Sequence, residues 1–130
     1  MFPCLFGTTT KVSASQMEYG NAVWYSFESK VPLPQLENHS ACLVDNRYIY
    51  VFGGNSGNEQ YNSLFVLDTC AMDITSPQLN GPLPRGRSAH TSTLYNNKVF
   101  VLFGWGGTGN ELHDIQVLDL GMCKSKYHMI

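Results

Sequence analysis

The feature that most restricts how this chain can fold is a segment that occurs twice. HSACLVDNRYIYVFGG, beginning at His39, and HTSTLYNNKVFVLFGW, beginning at His90, align without a gap, and SLFVLD then falls on DIQVLD at the same spacing of 51 residues. Of the thirty pairs from His39/His90 to Asp68/Asp119, eight are identical: His39/His90, Leu43/Leu94, Asn46/Asn97, Phe52/Phe103, Gly53/Gly104, Val66/Val117, Leu67/Leu118 and Asp68/Asp119. Unrelated sequences of ordinary composition would share roughly two. Arg47 meets Lys98, Asp45 meets Asn96, Leu64 meets Ile115 and Val51 meets Leu102, so chemistry is kept where letters change. A chain built this way uses one supersecondary unit twice, and its fold depends on how the copies cover each other.

Within each unit the local signals are those of strands and tight turns. Ser40 to Val44 and Thr91 to Tyr95 are short apolar-leaning runs that end in Asp45-Asn46 and Asn96-Asn97. Asp and Asn tolerate the left-handed backbone that a two-residue hairpin turn requires. The second arms, RYIYVFGG and KVFVLFGW, are rich in β-branched and aromatic residues and stop at glycine, as a strand entering a sharp turn does. A third strand is expected at Ser63 to Asp68 and at Asp114 to Asp119, each closed by an Asp that can bond the backbone just ahead. The fourth strand is less clear. Trp24 to Phe27 has the look of the last strand of an earlier unit, and Ile74 is the nearest apolar residue at the matching place in the next.

Tyr48 to Phe52 and Val99 to Phe103 are apolar on both alternating faces. Neither face of such a sheet is made for water, so each needs a neighbour on both sides. Antiparallel four-stranded units satisfy that demand by stacking around an axis as propeller blades.

These residues resemble the Kelch repeat. The likeness consists of a His on the first strand (His39, His90), a hydrophobic second strand running into glycine (YVFGG, VLFGWGG), a polar loop leading to Asn62-Ser63-Leu64, VLD twice, and a spacing near the roughly 50 residues of such units. It spans about residues 34 to 120. The resemblance implies an all-β chain, a partial Kelch-type β-propeller built of four-stranded antiparallel blades, about two blades plus a remnant. Residues 34–83 form the first repeat, 84–130 the second with an irregular C-terminal tail, and 1–33 the tail of a preceding blade or an irregular N-terminal segment. Gly53-Gly54 matches the expected diglycine, whereas the second unit reads Gly104-Trp105-Gly106-Gly107, so that either tryptophan replaces the second glycine or the turn has shifted by two. The late tryptophan of the family is found only as Trp24, with Ile74 and Tyr127 at the later places. Propellers use about four to eight blades, so the expectation is a fragment, a truncated product, or an arc completed by further blades or by self-association.

Bulk properties narrow the function. With 43% hydrophobic and 14% charged residues the chain falls among globular rather than disordered sequences. Net charge is -2, and the densest basic group is the pair Arg85 and Arg87, which argues against nucleic acid or an anionic membrane as partner. No apolar run approaches the roughly 20 residues of a spanning helix, and MFPCLFGTTTK lacks the basic leader of a signal peptide. Cys4, Cys42, Cys70 and Cys123 are dispersed without a C-x-x-C pair, so a reduced chain and a cytoplasmic location are favoured. The sequon Asn38-His39-Ser40 keeps secretion open.

The stretch VFVLFGWGGTGN, residues 99–110, carries the letters G-x-G-x-x-G at Gly104, Gly106 and Gly109. A dinucleotide fingerprint must open a helix, yet ELHDIQVLDL duplicates a strand, so no cofactor is expected. Gly53, Gly54, Gly104, Gly106 and Gly107 are read as turn positions, and Asp68 and Asp119 as turn-closing residues. His39 and His90, equivalent across the repeats, are read as packing or hydrogen-bonding residues rather than metal ligands. No paired acid and base and no nucleophile motif stands out.

The resemblance therefore implies a non-enzymatic module that binds a protein partner through the loops at one end of the ring: Asn55 to Tyr61, Trp105 to His113 and Pro84 to Arg87. Within these, Arg85, Arg87, Trp105, Asn58 and Tyr61 are the candidate contacts. Arg85 and Arg87 could hold a carboxylate of a partner or pair with an Asp of a neighbouring blade, and an exposed Trp105 would be an anchor. Two alternatives stay open: a piece of a copper-dependent, galactose-oxidase-like propeller enzyme, or a product without independent function.

Overall fold

The computed structural model describes residues 22, 24 and 26–121. Within these described residues nine strands run in order: β1 (Ser40–Val44), β2 (Tyr48–Phe52), β3 (Asn55–Ser56), β4 (Glu59–Gln60), β5 (Leu64–Asp68), β6 (Asp73–Thr75), β7 (Thr91–Tyr95), β8 (Lys98–Leu102) and β9 (Ile115–Asp119). They make an antiparallel sheet β1-β2-β5-β6, a small hairpin β3-β4, and a second antiparallel sheet β7-β8-β9. The fourth strand of the first sheet is centred on Ile74. No strand forms at Trp24 or over residues 26–28, and Trp24 is fully exposed. The strand expected at Trp24–Phe27 is not found among the described residues.

The hairpin turns are made as their letters require. Asp45 and Asn46 have φ of 52° and 53°, and Asn96 and Asn97 have 45° and 61°, the paired left-handed residues of a type I′ turn. The two hairpins nevertheless differ. Tyr95 pairs directly with Lys98, whereas Val44 pairs with Tyr48 although Arg47 N–H also donates to Val44 O at 3.1 Å. Arg47 is thus one extra residue, a β-bulge. Its consequence is a change of phase. The spacing between copies is 51 residues for β1 and β7, 50 for β2 and β8, and 51 again for β5 and β9.

That phase shift corrects the ungapped pairing of Phe52 with Phe103 and of Gly53 with Gly104. Gly53 N–H donates to Ser63 O at 3.1 Å as Phe103 N–H donates to Asp114 O at 3.0 Å. Gly54 O and Gly104 O accept from Tyr61 N–H and Leu112 N–H at 2.9 and 2.8 Å. Gly54 therefore corresponds to Gly104, and Gly53 to Phe103. The turn has moved by one residue, not two, and Phe103 holds a φ of 59° where the first blade has Gly53 at 65°. Gly54 and Gly104 are fixed by space as well as by φ: a Cβ would sit 2.9 Å from Glu37 O in one and 2.8 Å from Ser88 O in the other.

The core lies between the sheets. Cross-strand register sets Ser40, Phe52 and Leu64 in one row of the first sheet and Cys42, Tyr50 and Val66 in the next. Opposite them lie the rows Leu94–Val99–Leu118 and Ser92–Val101–Gln116 of the second sheet. Phe52, Leu64, Val99 and Val101 are the buried centre of this contact. The outer face of the second sheet repeats the same chemistry in the open. Ile115 is 57% exposed where its counterpart Leu64 is 4% exposed, and Val117 is 48% exposed. Among the described residues, the demand for a neighbour on each face is met at the seam alone.

Asp68 and Asp119 close their strands as expected. Asp68 Oδ1 accepts from Cys70 N–H and Ala71 N–H at 2.9 and 3.1 Å, and Asp119 Oδ1 accepts from Gly121 N–H at 2.9 Å. Cys42 is a free thiol, while Cys70 is disulfide-bonded, which departs from the reduced reading of the cysteines. Cys4, Cys123, Tyr127 and His128 lie outside the described residues. No helix among the described residues is long and apolar enough to cross a membrane.

Candidate partner-binding surface

The second blade hangs on the first through backbone hydrogen bonds that only close chain passage allows. Gly54 N–H donates to Arg87 O at 2.8 Å, Arg87 N–H to Tyr61 O at 3.0 Å, and Ala89 N–H to Asn38 O at 2.9 Å. His90 completes the seam. It is buried, its Nε2 shares a 2.7 Å hydrogen bond with Ser40 Oγ of the first blade, and its ring meets the Phe52 ring edge-on at 5.5 Å. Burial, and after it the charge of Arg87, pulls the His90 imidazole below its ordinary pKa. His39, its counterpart, is exposed, because the described chain places no earlier blade beside it. The shared position thus gives His90 a structural role and leaves His39 free of that packing.

Arg87 is enclosed completely, at 0% exposure. Its Nη1 donates to Phe103 O and to Asp114 Oδ1, both at 2.8 Å, and its Nη2 to Asp114 Oδ2 at 3.0 Å. The guanidinium holds the Asp114 carboxyl well below the usual range, helped by a hydrogen bond from Gln116. A buried cation with bidentate pairing cannot also reach a partner. Arg87 is therefore withdrawn from the candidate contacts: of the two roles weighed for it, pairing with an Asp is the one observed, and the Asp belongs to its own blade. Sequence reasoning misses Asp114. It takes the place of Ser63 in the first unit, and the exchange of Ser for Asp opposite an Arg-bearing segment is the signal that could have found it.

The remaining candidates gather at one end. The 84–87 segment runs between the β3–β4 hairpin and the 105–113 loop. Gly86 passes so close to Gln60 O that a Cβ would stand 2.3 Å from it, and Gly106 fits against Leu112 and Arg85. Arg85 is exposed and points a 3.4 Å contact at Asn110 Oδ1. Asn58 is exposed at the hairpin tip, and Tyr61 donates its hydroxyl to Glu59 Oε2 at 3.0 Å, a bond that raises the phenol pKa. Trp105 is half-buried rather than open, since its backbone bridges both Ser88 and Glu111. Gly104, Gly107 and Gly109 have positive φ, and the chain beyond them enters the strand β9, so the glycine-rich stretch is a turn. Among the described residues no three His, Cys, Asp or Glu side chains converge as a metal set.

Antiparallel sheets stacked face to face, with their first strands side by side and their connecting loops collected at one end, define blades of a β-propeller. The chain belongs to the Kelch-repeat family: the family model described as the KLHDC2/KLHL20/DRC7 Kelch-repeats domain matches residues 8–129. It is 28% identical over 88 residues to the flagellar outer-arm dynein alpha chain of Chlamydomonas reinhardtii, covering 68% of this chain and 2% of that one. It is 36% identical over 80 residues to human host cell factor 2, covering 58% and 10%, and 32% identical over 75 residues to the Rho GTPase-activating protein gacHH of Dictyostelium discoideum, covering 58% and 5%. The chain thus spans a tenth or less of the length of these relatives. Members of the family commonly serve as protein-interaction modules.

Proposed function

We propose that this chain is a non-enzymatic protein-binding module whose contact surface is the loop end built from the 55–61 hairpin, the 84–86 segment and the 105–113 loop. The observation that supports it most is convergence: loops from two blades meet where Gly86 packs against Gln60, and Arg85 lies against Gly106 and Asn110 of its own blade. Loops held on a rigid sheet scaffold present fixed side chains at little ordering cost. Arg85, Asn58, Tyr61 and Trp105 supply the polar and aromatic groups, and Arg87 supports them from below.

The test compares proximity labelling by the unaltered chain with that by an Arg85→Ala/Trp105→Ala variant. The expected result is loss of a discrete set of labelled proteins with an unchanged far-ultraviolet spectrum. An identical labelled set in both would remove this surface.

A further inference from the structure

Facing sheets in a well-packed protein leave few voids larger than a water molecule. The seam between the two blades departs from that. A cavity of about 110 Å³ lies between them, with Tyr50, Phe52 and Leu64 on one wall and Val99, Val101 and Leu118 on the other. Two features of the sequence account for it. Cys42 and Ser92, on the innermost strands, both line it and are small, so the two sheets lack the bulk to fill the gap. Residues 79–84, between the blades, then cross it as a strap with Leu79 packed inward against the core.

The lining also has a direction. Ser92, Val101 and Gln116 stand side by side in cross-strand register, so one edge of a mostly apolar chamber carries a hydroxyl and a carboxamide, and Asn80 of the strap adds a second carboxamide to the lining. The volume compares with the roughly 150 Å³ apolar cavity that accepts benzene, and exceeds the roughly 30 Å³ share of one water several-fold. Mostly apolar pockets of this size take up small apolar molecules because the lining regains dispersion contacts it otherwise lacks.

We propose that the seam cavity is a binding site for a small, mostly apolar molecule about the size of one aromatic ring, carrying a single hydrogen-bonding group directed at the Ser92–Gln116 edge. This site is separate from the loop end and does not depend on the protein-binding reading. Occupancy would tie the blades together, because the ligand touches both sheets and the strap.

Phenol is the probe. Thermal unfolding of the full chain is followed with increasing phenol, beside alkylation of Cys42 by iodoacetamide mapped by mass spectrometry. The expected result is a rise in Tm that saturates, together with at least a tenfold slowing of Cys42 alkylation. Cys42→Leu, which fills the chamber, should show no such rise; Val101→Phe serves if Cys42→Leu does not fold. Absence of a Tm rise, an equal rise in the filled variant, or unchanged Cys42 alkylation would each overturn the proposal.

Discussion

Arg87 and Asp114 form a two-pronged ion pair, 2.8 and 3.0 Å, in which the cation is wholly enclosed and the carboxylate keeps 40% of its side-chain surface in water. The asymmetry decides which partner matters more. Removing Asp114 strands a buried guanidinium, whereas removing Arg87 leaves a carboxylate that water can reach. Asp114→Ala is expected to lower unfolding stability by about 3 kcal/mol or more. Asp119→Ala, which breaks an exposed pair with Lys98, should cost far less. Urea unfolding of the two variants checks the ranking, and equal losses would contradict it.

Phe103 sits at φ 59° with 53% of its surface exposed, at the place the first blade gives to Gly53. A bulky side chain there carries strain without a compensating burial. Phe103→Gly is expected to stabilise by roughly 1 kcal/mol. Gly53→Ala should do the reverse, since its Cβ would lie 2.6 Å from Arg87 O and 2.7 Å from His90 Cε1. Thermal melts of both variants read the opposite signs directly.

His90 gives the seam a pH dependence of fixed sign. Its folded pKa lies below the ordinary 6.5, through burial first and Arg87 second, with His39 adding a smaller push in the same direction. The unfolded chain therefore takes up the proton at higher pH than the folded one. Its contribution is fully present above about pH 6.5 and is lost as the pH falls below that value. Tm should drop between pH 7.5 and pH 5 in the unaltered chain and drop less in His90→Gln. Asp68, held at about 2 by Arg47, adds a second loss only once the pH falls below about 4.

Leu64 and Ile115 occupy corresponding positions, the first buried on an inner strand and the second exposed on an edge strand. Leu64→Ala should cost about 3 kcal/mol, and Ile115→Ala no more than about 0.5 kcal/mol. Chemical denaturation separates them. A large loss at Ile115 would show that the outer face of the second sheet is covered in solution.

Much of this architecture could be read from the letters because the relevant signals are local. Asp45-Asn46 and Asn96-Asn97 name the turn type through their tolerance of positive φ, and the terminal Asp of each VLD names its own backbone partners. Ile74 marks the fourth strand weakly, and three residues there are enough to pair. What escapes the letters is decided by neighbours. The bulge at Arg47 leaves no mark, since both hairpins carry the same kinds of residue and an ungapped match looks complete. Arg87 and Arg85 are two positions apart and alike in sequence, yet one is enclosed and one exposed; burial depends on Asp114, 27 residues further on. Trp24 shows the converse, an aromatic with strand character and no sheet to join.

The extra residue at Arg47 separates a position's place in the text from its place in the fold. Gly53 and Gly104 align in the ungapped text, yet the folded chain seats Gly54 and Gly104 alike, and one additional residue in the connection from β8 to β9 restores the spacing of 51. A residue gained at the hairpin corner of one blade is thus offset by a residue gained in the opposite loop of the other, so that changes of length at the two ends of these sheets balance and the third strands fall back into the same register.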